Sequence, residues 1–99
     1  MGRSDATVAK VMSLTLADFH RSVRTLVPDV VVRDGQTEFQ IADMDGRVLI
    51  HYEPLKSTTL GGLLALPRAR VTIHLEHLDK MRREAFLTRF DRAFQRGGG

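Results

Sequence analysis

Two His-x-Glu units hold the residues of this chain best suited to chemistry: His51 with Glu53, and His74 with Glu76. On an extended strand a spacing of two puts both side chains on one face. Two imidazoles and two carboxylates on neighbouring strands would make a donor set for a divalent cation such as Zn²⁺, with His51 and His74 as the metal-ligand candidates, or would supply a general base. The competing reading is a salt-bridged face, solvated or covered by a partner. Arg47 and Arg70 share the alternation, and cross-strand Arg–Glu pairs are ordinary on a sheet. An open sheet face provides no pocket, so the second reading is preferred. Arg47, His51, Glu53, Arg70, His74 and Glu76 are therefore taken as an interaction surface and not as catalytic residues.

The second constellation is basic. Arg82, Arg89 and Arg96 are seven apart, which aligns them along one flank of a helix with Arg92 close by. Arg89, Arg92 and Arg96 have no acidic residue three or four positions away to neutralise them. Such a flank can meet phosphates, which makes a nucleic-acid accessory role the first alternative. Stacking aromatics are missing from it, and no helix-turn-helix, KH or RRM signature is present.

Other motifs carry less. Gly61-Gly62 interrupts the apolar run Leu60–Leu66, but no Walker lysine or dinucleotide spacing follows. It reads as a bulge or tight turn in an apolar edge, and such an edge is suited to self-association. The terminal Gly97-Gly98-Gly99 is similar to the tails of ubiquitin-like modifiers and sulfur carriers. Those proteins run a strand into the tail, whereas a helix is expected here, so the glycines read as a frayed helix end. There is no cysteine, which removes disulfides, thiol nucleophiles and thiolate metal sites. No Gly-x-Ser-x-Gly is present, and Asp43-Met44-Asp45-Gly46 lacks the later acidic ligand of an EF-hand loop.

The elements that must position these residues follow from periodicity. Arg47–Glu53 alternates Val48, Ile50 and Tyr52 against Arg47, Leu49, His51 and Glu53, as a central strand would. Arg70–Glu76 repeats the pattern with Val71, Ile73 and Leu75. Both give one apolar and one polar face, the mark of an antiparallel sheet covered on one side. Thr7–Met12 is an expected edge strand, and Val30–Val32 a short one. Asp34-Gly35 predicts a type I′ hairpin into a return strand over Glu38–Asp43, with Phe39 and Ile41 inward. Gly46 is expected in the left-handed position of the next turn. Pro54 should end the central strand or leave it at a sheet margin. Leu63–Leu66 is read as a short strand, with Pro67-Arg68 turning into the next, and His77 falls in the turn before the last helix.

Two helices complete the set. Thr15-Leu16-Ala17-Asp18 resembles a capping box, and Leu16, Phe19, Val23, Leu26 and Val27 form one face up to Pro28. His20 flanks that stripe as a boundary residue. The second helix should start at Asp79 as N-cap and run to about Gln95, burying Phe86, Leu87, Phe90, Ala93 and Phe94.

The expected fold is thus α+β: one domain over residues 1–99 with mobile ends at 1–6 and 97–99, in which a meander of four or five short antiparallel strands carries an N-terminal and a C-terminal helix on one face. Its 99 residues carry a net charge of +3. The segment up to Leu78 is balanced, with nine basic and nine acidic residues, so the whole excess lies beyond it. The start lacks the apolar core of a signal peptide, and no run is long enough to span a membrane. These features suit a cytoplasmic protein that needs no cofactor. The expected function is a non-enzymatic interaction module binding a protein partner or a second copy of itself, with nucleic acid and a metal or enzymatic site as alternatives.

Overall fold

A computed structural model describes residues 4–43, 45–62 and 64–97. The elements run β1 (Ser4–Met12), α1 (Leu16–Leu26), β2 (Glu38–Asp43), β3 (Gly46–Leu60), β4 (Leu64–Leu78) and α2 (Lys80–Gly97). The four strands form one antiparallel sheet in the order β1-β4-β3-β2. β2, β3 and β4 are a meander, and β1 adds to the far side of β4. The chain must therefore travel from one sheet edge to the other between β1 and β2. It does so by laying α1 across the apolar face.

Both helices begin as their sequences predict. Thr15 Oγ1 accepts from the Asp18 N–H while the Asp18 carboxylate accepts from the Thr15 N–H, a complete capping box. The Asp79 carboxylate accepts from the Arg82 N–H at 2.8 Å and caps α2. α1 ends at Leu26, before Pro28. Its buried Phe19 packs on Phe39, Tyr52 and Phe94, with ring centroids 5.7, 5.2 and 5.9 Å away. Phe86, Phe90 and Phe94 of α2 are buried with Val48, Ile50, Val71, Ile73 and Leu75 of the sheet. Burial of three such rings supplies on the order of 10 kcal/mol of gross hydrophobic stabilisation. His20 is a boundary residue: its ring packs on Phe19 and Phe39, and Nε2 lies 2.7 Å from the Gln36 carbonyl.

Several local expectations are corrected. Val30–Val32 forms no strand; Val30 and Val32 tuck against the core from the connection between α1 and β2. The turn at Asp34-Gly35 is closed by Gln36 N–H to the Arg33 carbonyl (3.1 Å), but only Gly35 has positive φ, so it is not type I′. Gly46 does not take the left-handed conformation. It is required by close approach: a Cβ there would lie 2.7 Å from Leu78 Cδ2, 2.8 Å from the His77 carbonyl, and against the Glu76 carbonyl. His77, at φ 59°, belongs to the end of β4, where the register with β1 shifts. Met44 falls outside the described residues.

The largest correction concerns Leu55–Arg68. β3 does not end at Pro54 and no turn occurs at Pro67-Arg68; β3 and β4 pair continuously from Arg47↔Glu76 to Leu60↔Leu64, with a register shift between Leu55 and Thr58. Gly61 and Gly62, at φ 60° and 72°, form the hairpin tip, not the bulge; Leu63 is outside the described residues. β1 ends opposite Ala69 and β2 starts opposite His51. The hairpin therefore runs on alone as a two-stranded arm, and the molecule measures 51 × 26 × 19 Å.

The prolines fit because of backbone alternation. In an antiparallel ladder the N–H and C=O of one residue point to the same neighbour, and the direction alternates along the strand. Tyr52 N donates to the Thr37 carbonyl at 2.8 Å. Even-numbered residues of β3 thus face the β2 side, and by register odd-numbered residues of β4 face the β1 side. Pro54 and Pro67 each fall on the outward side of the arm, just past the end of the neighbouring strand. Their missing N–H groups remove no ladder bond, and they leave both arm edges poor templates for a further strand.

Candidate functional site

The sheet face opposite the helices is built by alternation. Tyr52, Ile50 and Val48 are buried, so His51, Leu49 and Arg47 point away from the core. The register sets Arg47 opposite Glu76, Leu49 opposite His74, His51 opposite Thr72 and Glu53 opposite Arg70. β1 adds Thr7, Ala9 and Val11, and β2 adds Glu38, Gln40 and Ala42. All six residues expected on the interaction surface therefore share one face, and among the described residues no element covers it.

The polar groups pair along this face. Arg47 Nε donates to Glu76 Oε1. His74 Nε2 lies 3.1 Å from Glu76 Oε2, and His74 Nδ1 lies 2.7 Å from Thr7 Oγ1. His74 thus bridges Glu76 and the Thr7 hydroxyl through its two ring nitrogens. The Arg47 hydrogen bond holds the Glu76 carboxyl below the usual carboxylate range against desolvation, with lesser help from the Arg47 and His74 charges. Across the sheet Arg70 Nη1 donates to Glu53 Oε1 at 3.2 Å. These pairs are exposed, so each contributes little to stability.

The two His-x-Glu units do not converge. Register places His51 opposite Thr72 and His74 opposite Leu49, so the imidazoles are diagonal neighbours and each carboxylate is engaged by an arginine. Among the described residues no three His, Asp or Glu side chains gather in a way that could hold a metal ion.

The face has an apolar end that periodicity alone does not reveal. Val11, 53% exposed, lies opposite Arg70, and Leu66 and Arg68 continue the outward alternation of β4. Val11, Met12, Ser13, Leu66 and Arg68 line a shallow groove of about 220 Å³ at the base of the arm. Only the pairing of β1 with β4, separated by most of the chain, brings these residues together. Thr7 was likewise invisible as a partner of His74 until that pairing was known.

The basic flank of α2 is partly engaged. Arg82 Nη1 donates to Asp43 Oδ1 at 3.3 Å. Arg89 donates to the Leu26 carbonyl at 3.3 Å, capping the end of α1, and its guanidinium stands 5.8 Å from the Phe86 ring centroid. Arg92 is exposed and lines a groove of about 210 Å³ with Thr25, Leu26, Arg89 and Ala93. The Arg96 side chain is outside the described ones.

No helix among the described residues is long and apolar enough to cross a membrane. Fold and surface define an α+β protein with a one-sided sheet and a projecting arm. Comparison with models of protein families, with curated proteins and with solved structures finds no match.

Proposed function

We propose that this protein is a non-enzymatic interaction module that works by pairing with a second copy of itself through the open face of its sheet. One observation carries the reading: an uncovered face whose charges are internally balanced and which grades into apolar surface at one end. Arg47 and Arg70 stand against Glu53 and Glu76 on the same surface. A two-fold interface requires a surface complementary to itself, and a balanced face meets that requirement where a face of one sign would not.

Size also supports it. Three strands contributing about nine residues each and β2 with six, about 4.8 Å apart and at about 3.3 Å per residue, present about 520 Å² per copy. Two copies reach about 1,000 Å², the least that a specific interface must clear. Half-buried Leu49 at the centre, with Val11 and Leu66 towards the arm, would supply the apolar contact, and the Arg–Glu pairs would form the rim.

A methyl NMR dilution series tests this. The Leu49, Thr72 and Leu66 methyls should shift with protein concentration while the buried Val48 and Ile73 methyls hold still. Invariant outer-face methyls over the whole series would reject the reading.

A further inference from the structure

The sheet has one long edge that its prolines do not guard, and the alternation argument identifies its free groups. Even-numbered residues of β1 bond to β4, so the backbone groups of Thr7, Ala9 and Val11 point outward from the edge. β1 contains no proline over its nine residues. The arm edges, in contrast, carry Pro54 and Pro67 on their outward positions.

Beside this edge lies half-buried apolar surface. Arg83, Leu87 and Asp91 follow one another at four-residue spacing along the flank of α2 that overhangs β1. The row is fixed at both ends, by Arg83 Nη1 to Ser4 Oγ at 2.7 Å and by Lys10 Nζ to Asp91 Oδ1 at 2.7 Å. Leu87 lies between these ties on α2, and Ala6 and Val8 lie between Ser4 and Lys10 on β1; all three are partly buried against the core. The two ends differ in charge. Lys10 and Asp91 neutralise each other. Arg83 donates to the Ser4 hydroxyl and the Leu78 carbonyl, both neutral acceptors, and makes no ion pair among the described residues. Asp5 is at the same end but its carboxylate accepts from the His77 N–H.

We infer that the β1 edge is a second binding site, one that takes an extended peptide as a fifth strand between β1 and α2. The peptide places apolar side chains at alternate positions against Ala6, Val8 and Leu87, and a carboxylate at the Arg83 end. Backbone bonds to Thr7, Ala9 and Val11 supply affinity, and the apolar margin and Arg83 supply selectivity, as in strand addition generally. This site uses the outward backbone groups of residues whose side chains belong to the open face, and it does not depend on pairing of two copies.

Random heptapeptides displayed on phage and selected on the full chain test it. Enriched peptides should alternate apolar and polar residues with an acidic group towards one end. They should slow amide exchange at Thr7, Ala9 and Val11, and bind Ala9→Pro at least tenfold more weakly. That substitution removes an outward N–H and no ladder bond, and Arg83→Gln should weaken binding several-fold. The exchange measurement uses the unaltered protein and stands even if Ala9→Pro fails to fold. No enrichment, exchange protection elsewhere, or equal binding to a folded Ala9→Pro protein would overturn the inference.

Discussion

Gly46 is the residue at which backbone packing leaves the least choice. Its α-carbon faces the Glu76 and His77 carbonyls and a Leu78 methyl with no room for a Cβ. Gly46→Ala should lower unfolding free energy by about 3 kcal/mol, the upper range for overpacking, read as a lower urea midpoint. A midpoint unchanged from wild type would show that the start of β3 and the end of β4 can move apart. A second residue-scale prediction concerns acid. The Thr15 N–H, with Arg21 assisting, holds the Asp18 carboxyl below its ordinary 3.8 against partial desolvation. The folded chain then binds fewer protons than the unfolded one in that range, so the stabilisation is complete above the ordinary value and is lost as pH falls through the folded one. Asp18→Asn should flatten the loss of stability between about pH 5 and pH 3; Glu76, also lowered, keeps part of it. An acid limb as steep as wild type would contradict the capping account.

At the scale of elements, the arm is the part that the core does not need. No buried core residue among those described lies between Tyr52 and Ala69. Isolated two-stranded hairpins are marginal in water, so the arm is held by its root in the sheet. Replacing Lys56–Pro67 with Asn-Gly, a two-residue turn joining the paired Leu55 and Arg68, should leave the melting temperature within about 5 °C, equivalent to about 1 kcal/mol. Loss of the cooperative transition would place the arm inside the folding unit. The arm also marks where sequence reading stopped working. Both helices, their caps and the inward faces of β3 and β4 were legible because local alternation and 3.6-residue periodicity report burial directly. Pro54 read as a strand end or a sheet margin, and Pro67-Arg68 as a turn, because proline lacks a ladder donor. Whether that donor is needed depends on where β1 and β2 stop, which is set by pairing distant in sequence. Val30–Val32 misled for the opposite reason: a β-branched run has strand propensity, but no neighbouring strand is in reach of it.

At the scale of the whole molecule, the described residues leave one face of the sheet uncovered. Both helices pack on the other side, and the connection from β1 to β2 crosses that side too. The polar composition of the open face was legible from alternation. Its internal pairing was not: the diagonal offset of His51 and His74, and the capture of Glu76 by Arg47, follow from register, which no local pattern encodes. That register turns a candidate donor set into a ladder of paired charges, and a balanced ladder beside Val11 and Leu66 suits a second copy of the chain. The most direct test is the mass in solution, by sedimentation equilibrium, of the wild-type chain and of Leu49→Arg, with Thr72→Arg as a second face variant and exposed Met81→Lys on α2 as the control. The account predicts twice 11.1 kDa for wild type and Met81→Lys, and the single-chain mass for both face variants with their circular dichroism unchanged. A wild-type monomer at every concentration, or a dimer that persists in both folded face variants, would contradict it.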